Sequence, residues 1–481
     1  MNADLAPVAP ERRTWNWWHI AALWIGMAIC LPTYTLASNL VDGGWTWQAA
    51  VGAVVLGNFV VLIPIALNSH AGTRYGIPFP VLARASFGVK GANVPALLRA
   101  FVACGWFGIQ TWIGGWAIFK LLEVLWPGIA TLPRVLPGFV GLGTGEFICF
   151  MLFWAMNVWI VLRGMDSIKF LETWGSPFLL AVGVALLVWA WVRAGGWGPM
   201  LENPGGAAGH TGGLSGVFGA GLTSAVAFWG TMALSIPDFS RFAKSQRDQI
   251  VGQAVGLPGT MALFAFIGAV VTNATAAIFG ARVADPVALL ARIGGPLMIV
   301  LSMAGLTVAT LTTNIAANIV APANGFSNLA PQRISFKMGA MITAVIGVVM
   351  LPWRLYNDAA AYIFTWLIGY GALLGPVAGI MIADYFVLRR GRLDIDDLYE
   401  RGGAYEYQGG VNWIAISAFV LGVLPNLPGF IAAIGGSAAS PFFATLYNWA
   451  WFVGFAVAAG VYLAGMSVMP TRESGDVGSG T

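Results

Sequence analysis

Long apolar runs, each closed by a short polar or Pro/Gly-containing stretch, dominate the chain. A helix needs about 20 apolar residues to cross a bilayer. Runs of that kind fall at 17–40, 45–68, 93–122, 145–162, 168–192, 215–236, 251–280, 286–320, 334–352, 359–387, 411–433 and 441–466. The pattern predicts an all-α membrane protein of twelve transmembrane helices. RIGGP, residues 292 to 296, interrupts the eighth run and predicts a short separate helix ahead of that span. WNWWH, residues 15 to 19, reads as an interfacial aromatic anchor at the start of the first.

Two of these runs share an interruption. WIGMAICLP (24–32) in span one and WGTMALSIP (229–237) in span six carry Trp, Met, Ala and Pro at the same offsets. Proline removes a backbone donor and clashes with the preceding turn, so both helices are expected to break. Spans one and six cross in opposite directions. The reading is therefore two inverted five-helix repeats, 17–192 and 215–387, followed by two additional helices within 411–466. Tails at 1–16 and 467–481 complete the organisation. Broken helices at matching positions of inverted repeats mark the binding site of secondary transporters.

Charge orients this arrangement. Only 9% of residues are charged against 58% hydrophobic, far from a soluble composition. Arg12, Arg13, Arg74, Arg84, Lys90, Arg163, Lys169, Arg241, Lys244, Arg247, Arg333, Lys337, Arg389, Arg390, Arg392, Arg401 and Arg472 all fall on one side of the predicted spans. The other side holds Lys120, Arg134, Arg193, Arg282, Arg292 and Arg354. The positive-inside rule then puts both termini in the cytoplasm. The absence of a cleavable leader suits a multi-pass protein of a bacterial inner (plasma) membrane. A net charge of +4, spread between spans, argues against nucleic acid as a partner. The three cysteines lie in apolar runs, and the three histidines, His19, His70 and His210, lie away from the expected midplane. No catalytic or resident-cofactor chemistry is indicated, nor is an obligate protein partner.

Polar residues inside spans then carry the functional reading. Trp106 and Gln110 in span three, and Asn314 and Asn318 in span eight, are i, i+4 pairs that share a helix face. An indole over an amide suits a flat heterocycle, with the ring stacked and its edge hydrogen-bonded. Trp229, beside the second break, could close the other face. Arg99 is expected to snorkel toward the cytoplasm, and Glu172 has Lys169 within reach. No carboxylate or histidine is expected at the midplane, which favours a neutral planar substrate and a metal cation over a proton. The carbonyls of Gly26, Ile29 and Ala309 with the hydroxyls of Thr312 and Thr313 would offer five neutral oxygens to Na⁺. Proton-coupled or cation-independent transport of the same substrate class stays the alternative, since threonine hydroxyls often bond back to their own helix.

GIPFPVLARASFGVKGANVPALLRAFVACGWFGIQTWIGG, residues 76 to 115, closely resembles the signature region of the nucleobase:cation symporter-1 family. The likeness continues through SIPDFSRF (235–242), TTNIAANIVAPANGFSNLAP (312–331), GPVAGIMIADYF (375–386) and DLYERGGAYEYQGGVNW (397–413). The resemblance implies transport of a nucleobase, allantoin, hydantoin or related compound. It implies that Trp106 and Trp229 sandwich the ring while Gln110 and Asn318 bind its edge, with Asn314 near by. The family's sodium pattern maps onto Gly26, Ile29, Ala309, Thr312 and Thr313. Two positions depart from hydantoin-carrying members: Cys30 replaces a glutamine in the first break, and Phe228 a glycine beside Trp229. The pocket lining therefore differs, and uracil or allantoin becomes the expected type of substrate. Transport would proceed by alternating access, spans one, two, six and seven rocking against three, four, eight and nine. A tenth span made flexible by Gly369, Gly371 and Gly375 would close the site.

Overall fold

Asn16 starts the first long helix: its side chain accepts the N–H groups of Trp18 and His19, and the His19 ring reaches back to the Asn16 amide. Such a box satisfies donors that the first turn cannot. The computed structural model describes residues 5–163, 180–202, 213–330, 332–356, 361–400 and 402–468. Lys169, Glu172, the first half of predicted span five and the 469–481 tail lie outside these residues. Thr46 and Ser245 cap the two longest second-position helices, Trp47–Tyr75 and Gln246–Phe279. Gly76, at φ 75°, ends the first of them in a conformation that residues with a Cβ rarely adopt.

The first predicted break is present. Helix Trp17–Ala28 gives way to Leu31–Asp42 across Ile29 and Cys30, with a bend of 53°. Pro32 occupies the first turn of the second piece, where its missing N–H is harmless. The second copy behaves more mildly. Gly213–Phe228 ends at Trp229 (φ −99°, ψ 8°), Gly230–Ser235 follows, and Pro237 opens a further turn over Pro237–Ser240. In both copies the proline starts a new helix, and the interruption lies ahead of it.

Among the described residues no strand forms, and seven helices are long and apolar enough to cross a membrane, eight with the bent pair. These match predicted spans one to four, seven and ten to twelve. Of the other four predicted spans, the eighth carries the continuous 23-residue helix Pro296–Asn318, and the remaining three carry shorter or interrupted helices: Leu180–Arg193, the 213–240 series and Phe336–Val349. The short helix predicted ahead of span eight is Pro286–Ile293, capped by Asp285. A helix that the hydropathy pattern does not announce, Phe79–Phe87, lies between the second and third spans.

The inverted relation shows in who packs on whom. Helix Trp17–Ala28 packs on Gln246–Phe279, and its counterpart Gly213–Phe228 packs on Trp47–Tyr75. Helix Asn93–Leu125 packs on Pro296–Asn318, Phe336–Val349 and Thr144–Arg163. The most apolar stretch of Asn93–Leu125 is 83% buried, against 22% for Ala450–Val468. The former is thus the centre of the bundle, and the latter faces lipid. Span ten, Ala361–Leu388, has π-helical turns at both ends around Ile368–Ile382. Its glycines serve close packing: a Cβ at Gly369, Gly371 or Gly375 would press on Phe430, Ala227 or the Trp451 backbone.

One end of the bundle is laced by the N-terminal arm. Val8 donates to the Gly76 carbonyl at 2.9 Å, and the Tyr399 hydroxyl donates to Leu5 at 2.7 Å. Trp15 pairs with the segment after the second broken helix, its N–H bonding Phe242 O while Lys244 N–H bonds Trp15 O.

Candidate functional site

Trp106 sits at the middle of the central helix with 6% of its surface exposed. Gly105 makes its surroundings possible, because a Cβ there would collide with the Trp366 ring. Trp106 touches Phe228 edge to face at 5.2 Å, and Tyr362, Trp366 and Tyr370 at 6.2, 6.0 and 6.5 Å between ring centroids. One turn further along, the Gln110 side chain is 4% exposed and makes no hydrogen bond among the described residues. Neither amide atom is among the fully enclosed side-chain atoms left unpaired, so the amide faces accessible space.

The two broken helices meet beside this point. Trp24 and Trp229 pack edge to face at 5.1 Å. Phe228 touches Trp229 at 5.2 Å, so its ring links Trp106 to Trp229, and all three are buried. Cys30, the residue before the second half of the first broken helix, is buried with its Sγ 3.3 Å from Thr33 Oγ1. Trp106, Gln110, Trp229, Phe228 and Cys30 thus all fall in the buried core.

The two asparagines divide. Asn314 is wholly enclosed: its Nδ2 lies 3.3 Å from Phe107 O, 3.1 Å from Thr111 Oγ1 and 3.2 Å from Asn157 Oδ1, and its Oδ1 accepts Asn318 Nδ2 at 3.1 Å. Its donors and acceptor are committed to three helices. Asn318, 8% exposed, spends only a donor on Asn314.

At the first break the carbonyl ladder is rerouted. Thr33 N–H donates to Cys30 O at 3.1 Å where a continuous helix would use Ile29 O, and Cys30 N–H donates to Ala28 O where it would use Gly26 O. Helix Trp17–Ala28 packs on Pro296–Asn318, which carries Ala309, Thr312 and Thr313. Thr313 is buried, and the side chains of Ala309 and Thr312 lie outside those described.

Arg99 departs from its expected snorkelling. It is 2% exposed, and its Nε and Nη1 find no partner among the described residues. Asp238, 6% exposed, accepts the Phe79 N–H at 3.0 Å and is the opposite charge that Arg99 feels. Protein thus encloses most of the Arg99 side chain, where hydropathy alone expected it to extend to the surface.

A cleft of about 420 Å³ opens at the end of the bundle away from the N-terminal arm. Thr35, Asn39, Trp112, Trp116, Asp285 and Tyr356 are among its lining residues. Tyr356 touches Tyr362 at 5.6 Å, and Tyr362 touches Trp106, so an aromatic series runs from the cleft to the buried site. The sequence reading overlooked Tyr362, Trp366 and Tyr370. Their spacing of four residues in YIFTWLIGY (362–370) is the signal that could have found them.

Residues 7–454 match the family described as permeases for cytosine/purines, uracil, thiamine and allantoin. The purine-uracil permease of Arabidopsis thaliana is 46% identical over 98% of this chain and 79% of its own length. The allantoin permease of Bacillus subtilis (strain 168) is 41% identical, over 98% of this chain and 94% of that protein. The structure of Mhp1, a nucleobase-cation-symport-1 family transporter in a closed conformation with bromovinylhydantoin bound, superposes with a TM-score of 0.77 at 26% identity, covering 97% of this chain and 95% of that one.

Proposed function

Because the chain belongs to the nucleobase:cation symporter-1 family of membrane permeases, we propose that it imports a neutral planar nucleobase or ureide, of the uracil or allantoin type, together with Na⁺. The observation that carries the site is the unpartnered Gln110 amide one turn from Trp106, with Phe228 joining Trp106 to Trp229. In this reading Trp106 and Trp229 hold the ring, Gln110 and Asn318 hydrogen-bond its edge, and Asn314 holds Asn318 in place. Cys30 and Phe228 shape the lining.

Na⁺ would travel as co-substrate between the first break and the eighth span. The carbonyls of Gly26, Ile29 and Ala309 and the hydroxyls of Thr312 and Thr313 would coordinate it. Hard neutral oxygens of this kind suit an alkali cation. Its binding would order the break and so raise affinity for the heterocycle, which is coupling through a shared element. Translocation would follow by alternating access, in the plasma membrane, with both termini cytoplasmic. Twelve spans and the repeat boundaries at 17–192 and 215–387 belong to the same proposal.

The test is uptake of radiolabelled uracil, cytosine, allantoin and benzyl-hydantoin into proteoliposomes, under an inward Na⁺ gradient or an inward proton gradient. Accumulation that follows Na⁺ and is lost in Gln110→Ala and Thr313→Ala supports the reading. Accumulation driven by protons alone, unaffected by Thr313→Ala, overturns the cation site and leaves the substrate site standing.

A further inference from the structure

Tyr362, Trp366 and Tyr370 follow one another at four-residue steps along span ten, and each ring touches Trp106. They are 0%, 6% and 4% exposed. The Tyr362 hydroxyl, the Trp366 Nε1–H and the Tyr370 hydroxyl nevertheless make no hydrogen bond of good geometry among the described residues, although Thr35 lies near the first and Trp106 near the third. A buried polar group left unpaired costs about 1–3 kcal/mol. Phenylalanine at 362 or 370 would pack the same ring without that cost, and an apolar side chain at 366 would avoid burying a donor. Three polar tips around one tryptophan, none with a well-formed hydrogen bond, therefore leave room for a partner that arrives from outside.

We infer that these tips form a second polar edge of the substrate site, an inference that rests on the site proposed above. Indole N–H only donates, whereas a tyrosyl hydroxyl donates or accepts. A ligand that satisfies them needs a carbonyl oxygen on an edge other than the one bound by Gln110 and Asn318. The substrate class is then a small cyclic imide or ureide with carbonyls on two edges. A ring bearing an apolar arm on that second edge is disfavoured, because it would leave the tips unpaired, and Phe228 already rests against Trp106. The same contacts give span ten a reason to pack down when substrate is bound.

The experiment is equilibrium binding and thermal melting of the purified full-length protein and of Tyr362→Phe, Trp366→Phe, Tyr370→Phe and Gln110→Ala. Ligands are uracil with its single-carbonyl analogues 2- and 4-pyrimidinone, and allantoin with hydantoin, which lacks the ureido arm. At least one Phe variant should bind the better of uracil and allantoin about tenfold more weakly. Deleting the matching carbonyl should weaken the wild type by a similar factor and that variant by less than about twofold. Without ligand, Tyr362→Phe and Tyr370→Phe should melt at or above the wild-type temperature, since a poorly paired group has been removed, whereas Trp366→Phe also leaves a cavity and should melt lower. Wild-type affinity in all three Phe variants, with binding lost in Gln110→Ala, overturns this inference and keeps the proposed site. Unchanged binding in Gln110→Ala, or a wild type that binds neither uracil nor allantoin, overturns both.

Discussion

Trp24 and Trp229, the first residues of the two repeated motifs, touch each other edge to face, 5.1 Å between ring centroids and 79° between planes. The sequence periodicity that marks two halves is thus also a physical contact between them, made at the second interruption and just over a turn before the first. Aromatic pairs of this geometry add about 0.5–1.5 kcal/mol beyond the area they bury. Substrate dissociation constants measured for Trp24→Ala, Trp229→Ala and the double variant should show a coupling of about 1 kcal/mol, or fivefold. Trp24→Phe, which keeps an edge, should retain most of the affinity. Strictly additive losses would mean that the contact transmits nothing to the site.

Asn314 and Asn318 are neighbours with different duties. Truncating Asn314 orphans groups on Thr111, Asn157 and Asn318. Asn314→Ala should therefore lower stability by about 2–4 kcal/mol, read as a clear drop in melting temperature in detergent. Asn318→Ala should melt within about 1 kcal/mol of wild type yet bind substrate at least tenfold more weakly. Equal melting of the two variants would refute this division.

Asp384 anchors the end of span ten. It is 1% exposed, and its carboxylate accepts the Tyr462 hydroxyl at 2.7 Å, Arg389 Nε at 2.7 Å and the Ser86 hydroxyl at 3.2 Å. Arg389 also donates to Ala85 O and the Tyr407 hydroxyl. Removing the Asp384 carboxylate orphans the Tyr462 and Ser86 hydroxyls as well as Arg389, whose side chain is 22% exposed, so the loss is large but falls below the roughly 3–5 kcal/mol of a fully buried pair. Asp384→Ala should therefore give little monodisperse protein by size-exclusion chromatography, and Asp384→Ala with Arg389→Met should recover part of the yield. A double variant as poor as the single one would contradict the pair as the cause.

Asp285 supplies a pH dependence. Its carboxylate caps helix Pro286–Ile293 through Val287 and Ala288, at 3.0 and 3.1 Å, in the wall of the open cleft. Burial pushes its pKa above the usual carboxylate range. A raised folded-state value means that folding binds the proton, so this group favours the fold at low pH and loses that contribution as pH rises through its folded pKa. Asp285→Asn keeps a neutral cap and should melt at or above wild type at pH 7, the difference shrinking toward pH 5. Asp285→Ala, without a cap, should be less stable by about 1 kcal/mol. A gap between Asn and Asp that widens on acidification would reverse the assigned sign.

Much of this was legible beforehand because membrane helices announce themselves by length and apolarity. The first break is present at Ile29–Cys30, and the short helix ahead of span eight is present at Pro286–Ile293. Helix Phe79–Phe87 escaped since it is short and sits where hydropathy expects a loop. Arg99 was misread because a charge near a span end looks solvated until the neighbours of its helix are known. Tyr362, Trp366 and Tyr370 were passed over for a related reason. Aromatic residues at helical spacing read as lipid-facing or core filling, and only their poorly paired tips against Trp106 separate them from that background.

The arm at residues 5–15 has a consequence for the order of assembly. Its partners are Gly76, the Phe242–Lys244 segment and Tyr399, so its last binding surface is translated 394 residues after Leu5. A ribosome must deliver both halves before the arm can settle. Its bond to Gly76 can form early, but those of Trp15 and Leu5 wait for the second half, so full docking of the arm is a closing event of biogenesis rather than an opening one.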